Sequence, residues 1–265
     1  MDLGLGDRAC IVTGASGGIG GAVAELLARE GASTLLVGRR ISPLRTLAER
    51  CAGLGGRAES LELDVTYADA GERVVAACQE AFGRTDALIN CAGTSSARSL
   101  DELTDEDWQT QWEINVLAPM RLMRAAAPLM AEQGFGRIVN LCSSSGKRPS
   151  GTNMAYSVAK AAELSLSRAF ADLYAGRGVL VNAVAPGPVA DDLWLAPGGL
   201  ADQIAQSSGV PRDEVLERTA SRLPLGRLGS AQEIAAVIVF LCSEHASNVA
   251  GAAWSVDGGA VPVIL

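Results

Sequence analysis

The chain has 265 residues, 48% hydrophobic and 20% charged, with a formal net charge of −8. That balance suits a globular protein with a sizeable core and fits one large α/β domain spanning 1–265. Acidic overall and without any run of Lys or Arg, it argues against a nucleic-acid partner, and no stretch stays apolar for the length of a membrane span.

The opening Met1-Asp2-Leu3-Gly4 shows no basic region followed by an apolar signal core, so a cytoplasmic protein is expected. Six cysteines (Cys10, Cys51, Cys78, Cys91, Cys142 and Cys242) include no C-x-x-C pair. They read as buried thiols in a reducing compartment, with no metal site expected. The single histidine, His245, leaves no room for a Ser-His-Asp hydrolase.

In chain order, Ala9 to Thr13 is a short apolar run, as a buried parallel strand would be. Gly14-Ala-Ser16-Gly-Gly18-Ile19-Gly20 follows, and then helical spacing from Ala22 to Glu30. Strand, glycine turn and helix make a dinucleotide-binding loop: the glycines let the backbone approach a pyrophosphate, and the helix start offers free N–H groups to it. A plain βα turn is the alternative. Ser33 to Val37 reads as a second strand, ended by Gly38-Arg39-Arg40. Where NAD-binding folds place a carboxylate for the ribose 2′-hydroxyl, two guanidiniums stand ready for a 2′-phosphate, so NADP(H) is expected over NAD(H). The alternative, solvated arginines opening a helix, competes more strongly for Arg40 than for Arg39.

Pro43 to Cys51 is helical, and Ala58 to Leu63 is a third strand ending at Asp64-Val65. Asp64 either accepts from the adenine amino group or caps the next helix. Ala70 to Phe82 is helical. Ala87 to Asn90 is a fourth strand, leading into Cys91-Ala92-Gly93, small residues that let a cofactor lie close to the backbone. Asn90 is either part of that site or a core amide. One long helix is predicted from Asp107 to Met130, with Asn115 among its apolar residues. Gly136 to Leu141 is a fifth strand and Val179 to Ala185 a sixth, ending in Pro186-Gly187-Pro188. Residues 190–220 are weakly periodic and read as two short helices forming a lid. Ala231 to Ser243 is an amphipathic helix and Ala252 to Val256 a last strand. The alternation predicts one doubly wound parallel sheet, with its site at the carboxyl ends of the strands.

The chemistry concentrates in residues 143–160. Tyr156 and Lys160 stand four apart in a helical segment from Met154 to Tyr174, so both side chains share one face. The ammonium is expected to lower the tyrosine pKa and let it exchange a proton at neutral pH. Ser143 lies thirteen residues upstream at the end of the fifth strand, and Ser144 and Ser145 are its chemical equivalents.

Thr13-Gly14-x-x-x-Gly18-x-Gly20, Asn90-Cys-Ala-Gly93, Asn115, Ser143, Tyr156-x-x-x-Lys160 and Pro186-Gly187 stand here in an order and spacing that resemble the short-chain dehydrogenase/reductase family over essentially the whole chain. The resemblance implies a Rossmann-like seven-stranded sheet, a nicotinamide cofactor and alcohol–carbonyl interconversion. It implies Tyr156 as general acid or base, Ser143 as hydrogen-bond donor to the substrate oxygen, and Lys160 as the partner of Tyr156 and of the nicotinamide ribose. Asn115 would hold a water that links Lys160 to solvent. Gly14, Ser16, Gly18, Ile19, Gly20, Asp64, Val65, Asn90, Ala92, Gly93, Pro186, Gly187 and Val189 would line the cofactor. Asp191 replaces a threonine that commonly bonds the carboxamide, and Gly17 stands where NADP-dependent members often carry a basic residue. A homotetramer or homodimer is implied as well. The expected reaction is reduction of a 3-oxoacyl thioester or similar ketone with NADPH. The alternatives are an NAD-dependent alcohol or polyol dehydrogenase and a non-catalytic nucleotide-binding scaffold.

Overall fold

The computed structural model describes residues 2–262. Seven strands form one parallel sheet in the order β3-β2-β1-β4-β5-β6-β7. They are β1 Ala9–Thr13, β2 Ser33–Gly38, β3 Arg57–Glu62, β4 Ala87–Asn90, β5 Gly136–Leu141, β6 Val179–Pro186 and β7 Ala253–Val256. The chain runs outward from β1 through β2 to β3, returns to β4, and then runs outward the other way. The order therefore reverses between β1 and β4, where such sheets open a crevice at their carboxyl ends. This is the doubly wound Rossmann-like sheet that the alternation predicts.

The central strands are continuous apolar runs because both faces are covered. Successive residues point to opposite faces. Val12 and Leu36 pack with Val23 and Leu27 of helix α1 (Gly18–Arg29), Leu44 of α2 (Ile41–Gly53) and Ile238 of α11 (Ala231–Cys242). Their neighbours Ile11 and Leu35 pack on the other side, with Val74 of α3 (Ala70–Phe82), Leu122 of α5 (Ala118–Glu132) and Ala171 of α7 (Met154–Tyr174).

Three segments depart from expectation. The long helix predicted from Asp107 to Met130 is α4 (Asp105–Trp112), a π turn over Glu113–Leu117, and α5. The Ala118 N–H donates to the Glu113 carbonyl five residues back. Pro119, in the first turn of α5, has no N–H to give, so the regular ladder cannot run through this point. The helix also starts earlier, because Thr104 and Asp107 form a reciprocal capping box. A one-turn helix, α6 (Ser144–Lys147), follows Ser143 where none is predicted. Residues 190–220 hold three helices instead of two: α8 (Asp192–Leu195), α9 (Leu200–Ser208) and α10 (Arg212–Ser221).

Candidate active site

A cavity of about 860 Å³ opens over the carboxyl ends of the strands. One wall is the turn between β1 and α1, with Gly14, Ser16, Gly18, Ile19 and Gly20 all facing it. Two of these glycines are required sterically. Gly14 has φ +66°, and a Cβ there would sit 2.8 Å from the Ala92 backbone; a Cβ on Gly20 would sit 2.5 Å from the Gly14 carbonyl. The turn is thus held flat against β4 and leaves its cavity side to a ligand. Thr13 fixes this contact. Its hydroxyl accepts from the backbone N–H groups of Cys91 (3.1 Å) and Ala92 (3.2 Å) and donates to the Ile89 carbonyl (3.4 Å).

Arg39 and Arg40 follow β2 at the same cavity and are exposed. Among the described residues neither joins a salt bridge, so both guanidiniums have donors to spare. Asp64 and Val65 border the cavity as well. The Asp64 carboxylate accepts from the Thr66 N–H (3.0 Å) and hydroxyl (2.8 Å), closing a turn, whereas the N-cap position of α3 is Asp69. Capping of that helix by Asp64 is therefore ruled out. Ala92, Gly93, Pro186, Gly187 and Val189 complete the floor and the far wall.

Ser143, Tyr156 and Lys160 meet at that floor. Ser143 ends the β5 segment in extended conformation and caps α6, its hydroxyl accepting from the Ser145 N–H at 3.1 Å. Lys160 is 3% exposed and lies beneath Tyr156, its Nζ 5.8 Å from the ring centroid. Nζ donates to the Leu141 carbonyl (2.8 Å) and to Glu163 Oε2 (2.7 Å). Burial pulls the ammonium down, but Glu163, helped by Tyr156, more than offsets this and holds Lys160 charged above its ordinary range.

The tyrosine itself departs from expectation. Burial pushes Tyr156 above the ordinary tyrosine value, although Lys160 and the hydrogen-bonding Ser143 hydroxyl pull it down. Glu163 and Cys142 add to the upward push. The predicted net lowering does not hold, because desolvation outweighs the ammonium. All three serines border the cavity, and Ser143 is the one whose hydroxyl pulls the phenol's pKa down, which favours it over Ser144 and Ser145.

Two predicted residues are not on the cavity wall. Asn90 is buried, and its Nδ2 donates to Asn140 Oδ1 at 2.8 Å, joining β4 to β5 beneath the floor. Its Oδ1 is buried and has no hydrogen-bond partner among the described residues. Asn115 is 0% exposed, with Nδ2 donating to the Gln111 carbonyl (3.1 Å) and Oε1 (2.9 Å). Its Oδ1 has no partner and lies 3.1 Å from where a Cβ on Gly93 would be. It stands directly behind Gly93, a buried acceptor facing the floor from below. Sequence reasoning missed Glu163, although its position three residues after Lys160 puts it on the same helical face. Among the described residues, no cluster of three or more His, Cys, Asp or Glu is arranged to hold a metal ion.

Known proteins share this arrangement. A family model described as enoyl-(acyl carrier protein) reductase matches residues 14–261. The short-chain reductase protein NovJ of Streptomyces niveus is 37% identical over 254 residues, covering 96% of this chain and 94% of its own. The chain belongs to the short-chain dehydrogenase/reductase family. The 3-oxoacyl-[acyl-carrier-protein] reductase FabG of Thermotoga maritima is 33% identical over 259 residues, covering 97% of this chain and 99% of that one. The crystal structure of L-sorbose reductase from Gluconobacter frateurii, complexed with NADPH and L-sorbose, superposes with a TM-score of 0.92 at 33% identity over the full length of both chains. This short-chain dehydrogenase/reductase is therefore a nicotinamide-dependent oxidoreductase of carbonyl and CH–OH groups.

One feature sets its glycine turn apart. Asp191 Oδ2 lies 3.1 Å from the position of a Cβ on Gly18, and Asp192 Oδ2 lies 2.8 Å from that on Gly17. Two carboxylates thus rest on the turn that a pyrophosphate would approach. A basic side chain at position 17 would have to displace Asp192 from its present place. Burial pushes Asp191 above the ordinary carboxylate range, partly offset by the N–H groups of Trp194 and Leu193. Its charged form, present above that raised pKa, repels a pyrophosphate; its neutral form does not. Cofactor affinity in the wild type should therefore rise as pH falls through the Asp191 pKa. Asp191→Asn should tighten binding roughly tenfold at neutral pH and remove that pH dependence. Fluorescence titration with NADPH at two pH values checks this, and equal affinities in the two proteins would refute it.

Proposed function

We propose that this enzyme uses NADPH to reduce a ketone, most closely a 3-oxoacyl thioester or similar small to medium ketone. The observation that carries this reading is the meeting of Ser143, Tyr156 and Lys160 at the floor of the cavity whose other wall is the glycine turn. The cradle suits a dinucleotide, since a Cβ at Gly14 or Gly20 would collide with backbone and the first residues of α1, Gly18 to Gly20, line the same cavity. Gly14, Ser16, Gly18, Ile19 and Gly20 would hold its pyrophosphate, and Asp64 and Val65 its adenine. Ala92, Gly93, Lys160, Tyr156, Pro186, Gly187 and Val189 would hold the nicotinamide half. When bound, the cofactor supplies the hydride.

The chain's own residues supply the rest. Ser143 donates a hydrogen bond to the substrate oxygen and orients the carbonyl. Tyr156 protonates that oxygen as negative charge builds on it, and its raised pKa keeps the phenol protonated at neutral pH. Lys160 provides positive charge beneath the phenol as it gives up its proton. The unpartnered Asn115 Oδ1 behind Gly93 supports a role in holding a water of the proton relay. Residues 190–220 act as a lid in this reading, with Leu193, Trp194 and Leu200 on the cavity. Six free cysteines support a reducing cytoplasm. The exposed apolar side chains of Trp112 on α4 and of Val158 and Leu173 on α7 support contact with further copies in a homotetramer.

The FabG relatives favour the 3-oxoacyl substrate. A hydroxylated ketone, as in the L-sorbose reductase complex, is the second reading, favoured by the amides and hydroxyls of Gln109, Thr110, Ser95 and Asn153 along the cavity. Loss of NADPH absorbance with acyl thioesters and with keto sugars separates the two, and turnover of neither would refute both. Arg39 and Arg40 support NADP(H) over NAD(H). Arg39→Ala should weaken NADPH binding by roughly 10- to 100-fold, the effect of a lost charge-assisted hydrogen bond, and NADH binding by less than about threefold. Equal losses for the two cofactors would defeat the 2′-phosphate assignment.

A further inference from the structure

The mechanism above gives the buried charge beside Lys160 no task. Glu163 is 2% exposed and lies seven residues after Tyr156 and three after Lys160, so the three share one face of α7. A buried carboxylate is costly unless paired, and packing a helix against a sheet calls for no charge at all. The other buried positions of α7 that follow Tyr156 are Ser157, Ala159, Ser167 and Ala171, along with Lys160 itself. The carboxylate therefore answers to the ammonium 2.7 Å away. With Leu141 O at 2.8 Å it gives Lys160 two fixed acceptors on the side away from solvent.

We propose that Glu163 is a positioning residue: it anchors Lys160 and cancels much of the ammonium's field at Tyr156, so the phenol stays protonated and the site is set for reduction. The inference rests on Tyr156 being the acid. At Tyr156 the ammonium favours the phenolate and the carboxylate favours the phenol. A compact pair of opposite charges acts more weakly at a distance than the ammonium alone would. The titratable groups facing Glu163 are few. On its own helix they are Lys160 and Tyr156. From the end of β5 comes Cys142, whose thiol senses Glu163, Lys160 and Lys147 of α6. From beyond β4 comes Cys91. Burial pushes both thiols up, so neither brings charge near neutral pH.

The test is the pH profile of ketone reduction in the wild type, Glu163→Gln and Glu163→Asp. Reduction should fail at high pH as Tyr156 loses its proton. Glu163→Gln should move that limb down by about one pH unit, a tenfold loss of proton affinity, because the ammonium then acts unopposed. Glu163→Asp keeps the charge and should keep the limb in place. A limb unmoved in Glu163→Gln, whatever happens to its melting temperature, overturns the proposal. A second measurement needs neither turnover nor a Glu163 variant. The tyrosinate absorbance of the wild type minus that of Tyr156→Phe gives the titration of Tyr156, expected above the free value near 10; a midpoint well below it overturns the shielding. Wild-type turnover that persists in Tyr156→Phe would instead remove Tyr156 as the acid, a separate failure.

Discussion

Tyr156→Phe should lower turnover by roughly 10²- to 10⁴-fold, the range general acid catalysis supplies, while NADPH binding stays within about threefold of wild type. The phenol stands over Lys160 at the cavity floor, and Ser143 borders the same cavity. Phenylalanine keeps the ring and its packing and removes only the proton. Steady-state rates with an active ketone and a fluorescence titration with NADPH check the two halves separately. A variant that turns over at the wild-type rate would transfer the acid role elsewhere. One that fails to bind cofactor would make Tyr156 a binding residue first.

Lys160→Met should cost stability as well as catalysis. The substitution leaves the Glu163 carboxylate buried with no cation, and breaking a buried pair from one side typically costs about 3–5 kcal/mol. The double variant Lys160→Met/Glu163→Leu should regain most of that stability and none of the activity, since no charge is then left buried. The pH dependence of the single variant has a definite sign. Without Lys160, burial lifts the Glu163 carboxyl further above its unfolded value near 4, so the unfolded chain releases the proton first. Stability is retained below that value and lost as pH rises through the folded pKa. Thermal unfolding of the three proteins at acidic and neutral pH measures this. A single variant as stable as wild type at neutral pH would mean the pair contributes nothing to the fold.

Much of the sheet is legible in the sequence because strands such as β1 and β2 are apolar runs closed by a glycine, as in Val12–Thr13–Gly14 and Leu36–Val37–Gly38. The π turn is not legible, since it arises from a missing donor at Pro119 in a stretch whose apolar spacing is otherwise helical. Helix α6 escapes because one turn has no periodicity to detect. At the site, the glycine turn, the strand ends at Arg39, Asp64, Ala92, Ser143 and Pro186, and Tyr156 with Lys160 all border the cavity as their motifs predict. Asn90 and Asn115 are found by motif but lie behind the wall, and only the side-chain partners Asn140 and Gln111 reveal this. The net upward shift of Tyr156 is invisible in sequence because it depends on desolvation, which spacing does not report.

The Thr13 hydroxyl joins the ends of β1 and β4 with two accepted hydrogen bonds, and all of its partners are backbone. Each of those bonds is made within the chain and uses no ligand atom. The entropy lost in arranging the cradle is therefore a cost of folding the sheet, and an arriving ligand gives up only its own freedom there. What remains to be rearranged lies across the turn, where Asp191 and Asp192 rest on Gly18 and Gly17. Affinity on one side of the turn is thus preorganised, and on the other it depends on the displacement of two carboxylates.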